Sequence, residues 1–192
     1  KEDVQKFLDT AYGDFNTRNL GLIGHMAYAW CQRLGDMRLL EWSTIDFDKQ
    51  TVHIEQSKRK ADVYLPIEND LFEMLQQQNQ DFGFQKYVAP RPKAIKGVYR
   101  PYSLHKLPAF ARKLMQKAGL SDELRLSDLR RTGTTEMVDA GVGIGQIMSV
   151  TGHSNPNSVK PYMKNTLISA NFALTERKKH STSITNADKE SV

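Results

Sequence analysis

The sequence predicts a mainly helical α+β domain with one small antiparallel β-hairpin. Apolar residues recur at helical spacing in stretch after stretch, as Val4, Phe7, Leu8 and Ala11 do near the start. Period-two alternation, the signature of a strand, marks residues 51–66. With 192 residues, 39% of them apolar, the chain suits one domain with a real core. We expect that domain over residues 1–175, followed by a polar tail at 176–192.

In order, residues 2–13 form the first helix, with Val4, Phe7, Leu8 and Ala11 inward. The second begins near Asn19 and turns Ile23, Ala27, Trp30 and Leu34 inward. Arg33 leans toward that apolar side, where a charge needs a partner. Asp36 at i+3 can serve. In the hairpin, Val52 and Ile54 share parity with Lys58. A strand that persists to Lys58 points it toward the domain body. The plain alternative is a turn lysine, since Arg59 and Lys60 follow.

Residues 68–79 read as a surface helix with Leu71, Met74 and Leu75 inward. Residues 81–102 are a loop in which Arg91, Lys93, Lys96 and Arg100 interleave with Tyr87, Tyr99 and Tyr102. It suits a nucleic-acid backbone, read without sequence specificity, ahead of a plain solvated surface loop. Residues 103–118 form an amphipathic helix with Leu104, Leu107, Ala111, Leu114 and Met115 on its apolar side, closed by Gly119. Ser127 caps the next helix and sets Arg130 in its first turn. Residues 144–150 form a short apolar helix, and Gly152 lets the backbone turn tightly into His153. A last helix is expected over 166–175, carrying Ile168, Phe172 and Leu174, with disorder beyond it.

Composition narrows the function classes. Lys+Arg of 27 against Asp+Glu of 22 gives a net charge of +5, which agrees with a polyanionic partner. Cys31 is the single cysteine, so no intrachain disulfide forms and a cytoplasmic location fits. No apolar run approaches the roughly 20 residues that span a bilayer, and no signal-peptide pattern opens the chain. The five histidines are dispersed without metal-ligand spacing, and no phosphate-binding Gly-Lys-Ser/Thr loop is present.

The chemistry concentrates at residues 126–162. Arg130 and Arg131 are followed by Gly152-His153-Ser154 and, nine residues after His153, by Tyr162. Arginine offers phosphate a fixed fork of donors. Histidine offers a group tunable near neutral pH. A tyrosine hydroxyl can attack phosphorus and hold the product covalently. Upstream lie Cys31-Gln32-Arg33-Leu34-Gly35-Asp36 and Glu55-Gln56-Ser57-Lys58.

Taken in that order, these four boxes resemble the catalytic half of the tyrosine recombinases, the phage-integrase family of site-specific DNA recombinases. The resemblance implies DNA cleavage and rejoining through a 3′-phosphotyrosyl bond, in integration or excision of a mobile element or phage. Tyr162 is then the nucleophile, and Arg33 and Arg130 hold the non-bridging oxygens. Lys58 protonates the leaving 5′-oxygen, and His153 hydrogen-bonds the phosphate or accepts the tyrosine proton. Ser127 is a weak phosphate donor, and Asp36 supports the first arginine from behind. No cofactor is implied, neither ATP nor metal. The implied partner is double-stranded DNA, on which protomers assemble as a tetramer, with Ile168, Phe172 and Leu174 docking on a neighbour or packing on their own domain.

Such recombinases usually carry an N-terminal core-binding domain, and none is visible in this chain. Two positions depart from the pattern: Ser127 stands where the family usually has histidine, and Thr151 where leucine is common. Ser127 keeps open a DNA-binding protein without catalysis on the same scaffold. A type IB topoisomerase-like enzyme would share the constellation.

Overall fold

The structure, a computed structural model, describes residues 1–58, 60–163 and 170–179. Helix α1 (Glu2–Tyr12) buries Val4, Phe7, Leu8 and Ala11, the stripe its periodicity predicts. Helix α2 (Phe15–Ala29) is the spine of the domain, buried continuously from Asn19 to Ala27. It starts earlier than its apolar pattern suggests because Asp14 caps it, accepting from the Asn16 amide. It also stops before Leu34, since the chain breaks out of the helix at Cys31, whose φ is +51. Leu34 instead opens the short helix α3 (Leu34–Met37), half-buried. Gly21 lets α1 and α2 close together, since a Cβ there would run into the Ala11 side chain.

The hairpin is part of a three-stranded antiparallel sheet in the order β1 (Ile45–Asp46), β2 (Thr51–Glu55), β3 (Asp62–Pro66). Its register pairs Val52 with Leu65 and Ile54 with Val63, so these four side chains share the buried face. The opposite face carries a stacked His53–Tyr64 pair with ring centroids 4.2 Å apart. Strand β2 ends at Glu55, and the next inward position falls to Gln56. Lys58 therefore lies in the turn, exposed, and does not point into the domain.

Helix α4 (Asn69–Phe82) outruns its predicted end because Gln78 and Phe82 continue the stripe of Leu71 and Leu75. Gln78 is wholly buried, donating to Asn19 Oδ1 at 3.0 Å and to the Val88 carbonyl at 2.9 Å. Asn19 in turn donates to the Pro90 carbonyl at 2.7 Å, fastening the long loop to the core. Helix α5 (Leu107–Lys117) begins later than predicted, with Pro108 in its first turn, and leaves Leu104 exposed. Gly119 follows its end at φ +68, as a C′ glycine should. Helices α6 (Asp128–Asp139) and α7 (Ile144–Thr151) follow. Residues 170–179 form α8, so the helix continues past 175 into the stretch expected to be a disordered tail. Phe172 on α8 packs beside Gly141 of its own chain. Ile168 and the rest of the expected tail lie outside the described residues.

The core draws on α1, α2, the sheet, α4 and α5. Phe7, 1% exposed, is typical of it. Truncating such a residue to alanine costs about 3–5 kcal/mol. This rigid body sets the site on element ends.

Candidate active site

Arg33 sits where the chain leaves α2 and enters α3, with extended backbone at φ −73, ψ 139. The left-handed residue Cys31 makes that turn, and Gly133 of α6 packs against it. A Cβ on Gly133 would strike the Tyr28 carbonyl and Cys31 Sγ. Burial pushes the Cys31 thiol up to about 11, so it is no nucleophile near neutral pH.

Beneath Arg33 lies a buried pair of glutamines. Gln56 Oε1 accepts from Arg33 Nη1 at 2.9 Å. Its Nε2 donates to Gln32 Oε1 at 2.7 Å and to the Thr151 carbonyl at 2.8 Å. Gln32 Nε2 donates to the carbonyls of Trp30 and Val150. Both glutamines are 0% exposed. They tie the first arginine, the hairpin and the end of α7 into one body. Asp36 flanks them, accepting from the Ser57 amide and hydroxyl, with its other oxygen 3.9 Å from Arg33 Nη1.

Helix α6 supplies Arg130, whose Nη2 donates to the Thr151 carbonyl at 3.1 Å and stands 3.5 Å from His153 Nε2. Its Nη1 is buried with no hydrogen-bond partner among the described residues. Burial, and after it the neighbouring Arg33 guanidinium, lower the pKa of Arg130. Two guanidiniums held together, one with a buried unsatisfied donor, form a place that an oxyanion would stabilise.

Helix α7 ends at Gly152, whose φ of +68 turns the chain into His153 as the sequence predicts. His153 Nδ1 is 2.7 Å from Thr151 Oγ1. Tyr162 closes a 3-10 turn (Lys160–Tyr162), its ring centroid 6.4 Å from that of His153 and tilted by 40°.

The structure thus brings Arg33, Arg130, His153 and Tyr162 together. Lys58 stands apart on the hairpin turn, exposed and with no polar side-chain contact among the described residues. Ser127 precedes α6, but its backbone is helical and its side chain makes no capping bond. It is exposed at the mouth of an apolar cleft shared with Leu34, Leu107 and Ala111. Sequence reasoning missed Gln32 and Gln56. Parity was the available signal for Gln56, two positions on from Ile54.

A sequence model of the Phage integrase family matches residues 1–167. The chain belongs to the phage integrase family. No curated protein matches its sequence. Among solved structures, XerA recombinase superposes with a TM-score of 0.73 at 15% identity, covering 92% of this chain and 62% of that one. The Tn1549 transposon integrase, in complex with a circular intermediate DNA, gives 0.70 at 16% identity, covering 90% and 63%. A lambda integrase tetramer bound to a Holliday junction gives 0.66 at 18%, covering 85% and 47%. At these identities the likeness is one of fold, and this phage integrase chain spans less than two thirds of each of the three. Among the described residues, no helix is long and apolar enough to cross a membrane.

Proposed function

We propose that this chain is the catalytic domain of a site-specific tyrosine recombinase, which cleaves and rejoins DNA strands in the movement of a phage or other mobile element. The observation that carries this reading is the convergence of Arg33, Arg130, His153 and Tyr162 around the buried Nη1 of Arg130, which has no hydrogen-bond partner among the described residues. The scissile phosphate seats against the two guanidiniums, which stabilise the charge of the pentacoordinate transition state. The Tyr162 oxygen attacks phosphorus and the 5′-oxygen leaves, so the phosphodiester energy is kept in the protein–DNA bond. Lys58 lies on an exposed turn, where it can meet DNA and protonate the leaving oxygen. Ser127 adds a weak donor at the edge. The partner is double-stranded DNA, and the working assembly is a tetramer on it.

Covalent trapping tests this. Wild type and Tyr162→Phe are incubated with nicked duplexes from candidate attachment regions, and denaturant-resistant protein–DNA adducts are counted. Adducts are expected with wild type alone, while DNA affinity stays within about tenfold, because the lost hydroxyl adds at most one modest hydrogen bond to binding. Adducts in the phenylalanine variant would remove Tyr162 as nucleophile. Binding by wild type without adducts would favour the non-catalytic scaffold.

A further inference from the structure

A neutral imidazole carries one ring proton, and the nitrogen that holds it leaves the other as an acceptor. Both nitrogens of His153 have neighbours that fix the choice. Thr151 Oγ1 lies 2.7 Å from the Ile147 carbonyl oxygen and 2.7 Å from His153 Nδ1. A carbonyl has no hydrogen to give, so the one hydroxyl proton lies toward Ile147. The Thr151 oxygen therefore accepts from Nδ1–H. Across the ring, Arg130 Nη2 stands 3.5 Å from Nε2. A guanidinium only donates, so it faces a lone pair there and not a second N–H. The Thr151 contact specifies the tautomer, and the longer Arg130 contact agrees with it.

The other assembled groups leave the acceptor role to this nitrogen. The guanidiniums of Arg33 and Arg130 only donate, and a serine at 127 supplies no basic nitrogen. The Tyr162 ring is the neighbour of the imidazole.

We propose that Thr151 is a positioning residue that holds His153 in the Nδ1–H form, so that Nε2 accepts the Tyr162 proton during strand cleavage. This rests on the reading of Tyr162 as nucleophile. The Tyr162 O–H bond breaks and its proton passes to Nε2, leaving an imidazolium still bonded to Thr151 through Nδ1. The phenolate oxygen bonds phosphorus, the bond to the 5′-oxygen breaks, and Lys58 protonates that oxygen. Rejoining runs the steps backward and returns both protons. When phosphate arrives, Arg130 turns its donors to the phosphate oxygens and releases Nε2.

Nitrogen-15 NMR of the imidazole reads the tautomer directly, and trapping kinetics read its use. Wild-type His153 is expected to show a protonated Nδ1 and an unprotonated Nε2. Thr151→Val, close in shape and lacking the acceptor, is expected to lose that signature. Its adduct rate should fall about tenfold, part of the roughly 10²–10⁴ that a placed proton acceptor contributes. DNA affinity should stay unchanged, and Thr151→Ser should restore both signature and rate. A wild-type Nε2–H tautomer, seen without any variant, would overturn the proposal. So would a folded Thr151→Val protein with unaltered tautomer and rate. An Nδ1–H signature in a wild type that forms no adducts would overturn the recombinase reading, and the acceptor role with it, while leaving the tautomer assignment standing.

Discussion

The side chain of Gln56 holds three parts of the site at once, because a carboxamide both accepts and donates. It accepts from Arg33 and donates to Gln32 and to the Thr151 carbonyl. Replacing it with leucine keeps the volume and removes all three bonds. Buried groups left unpaired cost about 1–3 kcal/mol each, with sums that fall short of additive. We expect Gln56→Leu to lower unfolding free energy by about 3 kcal/mol in urea titrations. It should also slow adduct formation more than it weakens DNA binding, because Arg33 loses its orienting partner. A variant as stable and as fast as wild type would show that the carboxamide holds nothing in place. Asp36, whose second oxygen is buried without a hydrogen-bond partner among the described residues, supports Arg33 by charge at 3.9 Å.

At the scale of elements, the site is built where helices and strands end, and the junction after α7 is its tightest. Gly152 adopts φ +68, and a Cβ there would drive into the Gln56 carboxamide, which its three bonds keep from moving aside. Gly119 has the same φ, and among the described residues nothing lies within 4 Å of where a Cβ would stand. Gly119→Ala therefore measures the left-handed backbone alone, about 1 kcal/mol, and should leave adduct formation intact. Gly152→Ala should cost about 1–3 kcal/mol more, the range of overpacking, and abolish adducts because it displaces His153. Equal melting temperatures for the two variants would deny the clash. The hairpin makes a separate prediction. If Lys58 protonates the leaving oxygen, Lys58→Ala should slow cleavage by about 10²-fold or more. A duplex with sulfur in place of the 5′-oxygen needs no such proton and should recover most of that rate. No recovery would assign Lys58 to binding. How much of this is legible in the sequence follows the range of the interactions. The stripe of α1 and the glycine turn at 152 are local and can be read directly. Gln32 meets the Val150 carbonyl and Gln56 that of Thr151, both far along the chain, so only strand parity hints at Gln56 and nothing in the near sequence marks Gln32 as core. The end of α2 departs from its expected place for a related reason: Cys31 occupies a left-handed position with no glycine to announce it.

Across the whole molecule, the ion pairs sort the positive charge. Arg18, Lys49, Lys86, Arg112 and Lys117 each meet a carboxylate within 4 Å. Lys93, Lys96 and Arg100 of the long loop, with Lys106 and Lys113 at α5, have no such partner among the described residues. Helix α5 also lines the cleft that Ser127 borders, so its basic residues belong to the element next to the site. A net charge of +5 spread evenly would give weak, diffuse attraction to DNA. Charge left unpaired, as on this loop and this helix, gives discrete phosphate contacts, each of which releases counterions. The measurement is the slope of log binding constant against log salt concentration, taken with the Tyr162→Phe protein so that no covalent product accumulates. Neutralising Lys93, Lys96 and Arg100 together to glutamine should flatten that slope by up to about 2.7, at roughly 0.9 for each phosphate no longer neutralised. Neutralising Lys49 and Lys86, already held by Asp46 and Glu41, should leave the slope nearly unchanged. If the triple variant keeps the wild-type slope, the loop does not follow the DNA backbone. Lys106 and Lys113 of α5 are then the next to neutralise, followed by Lys58, Arg131 and Lys160, which likewise have no carboxylate within 4 Å among the described residues.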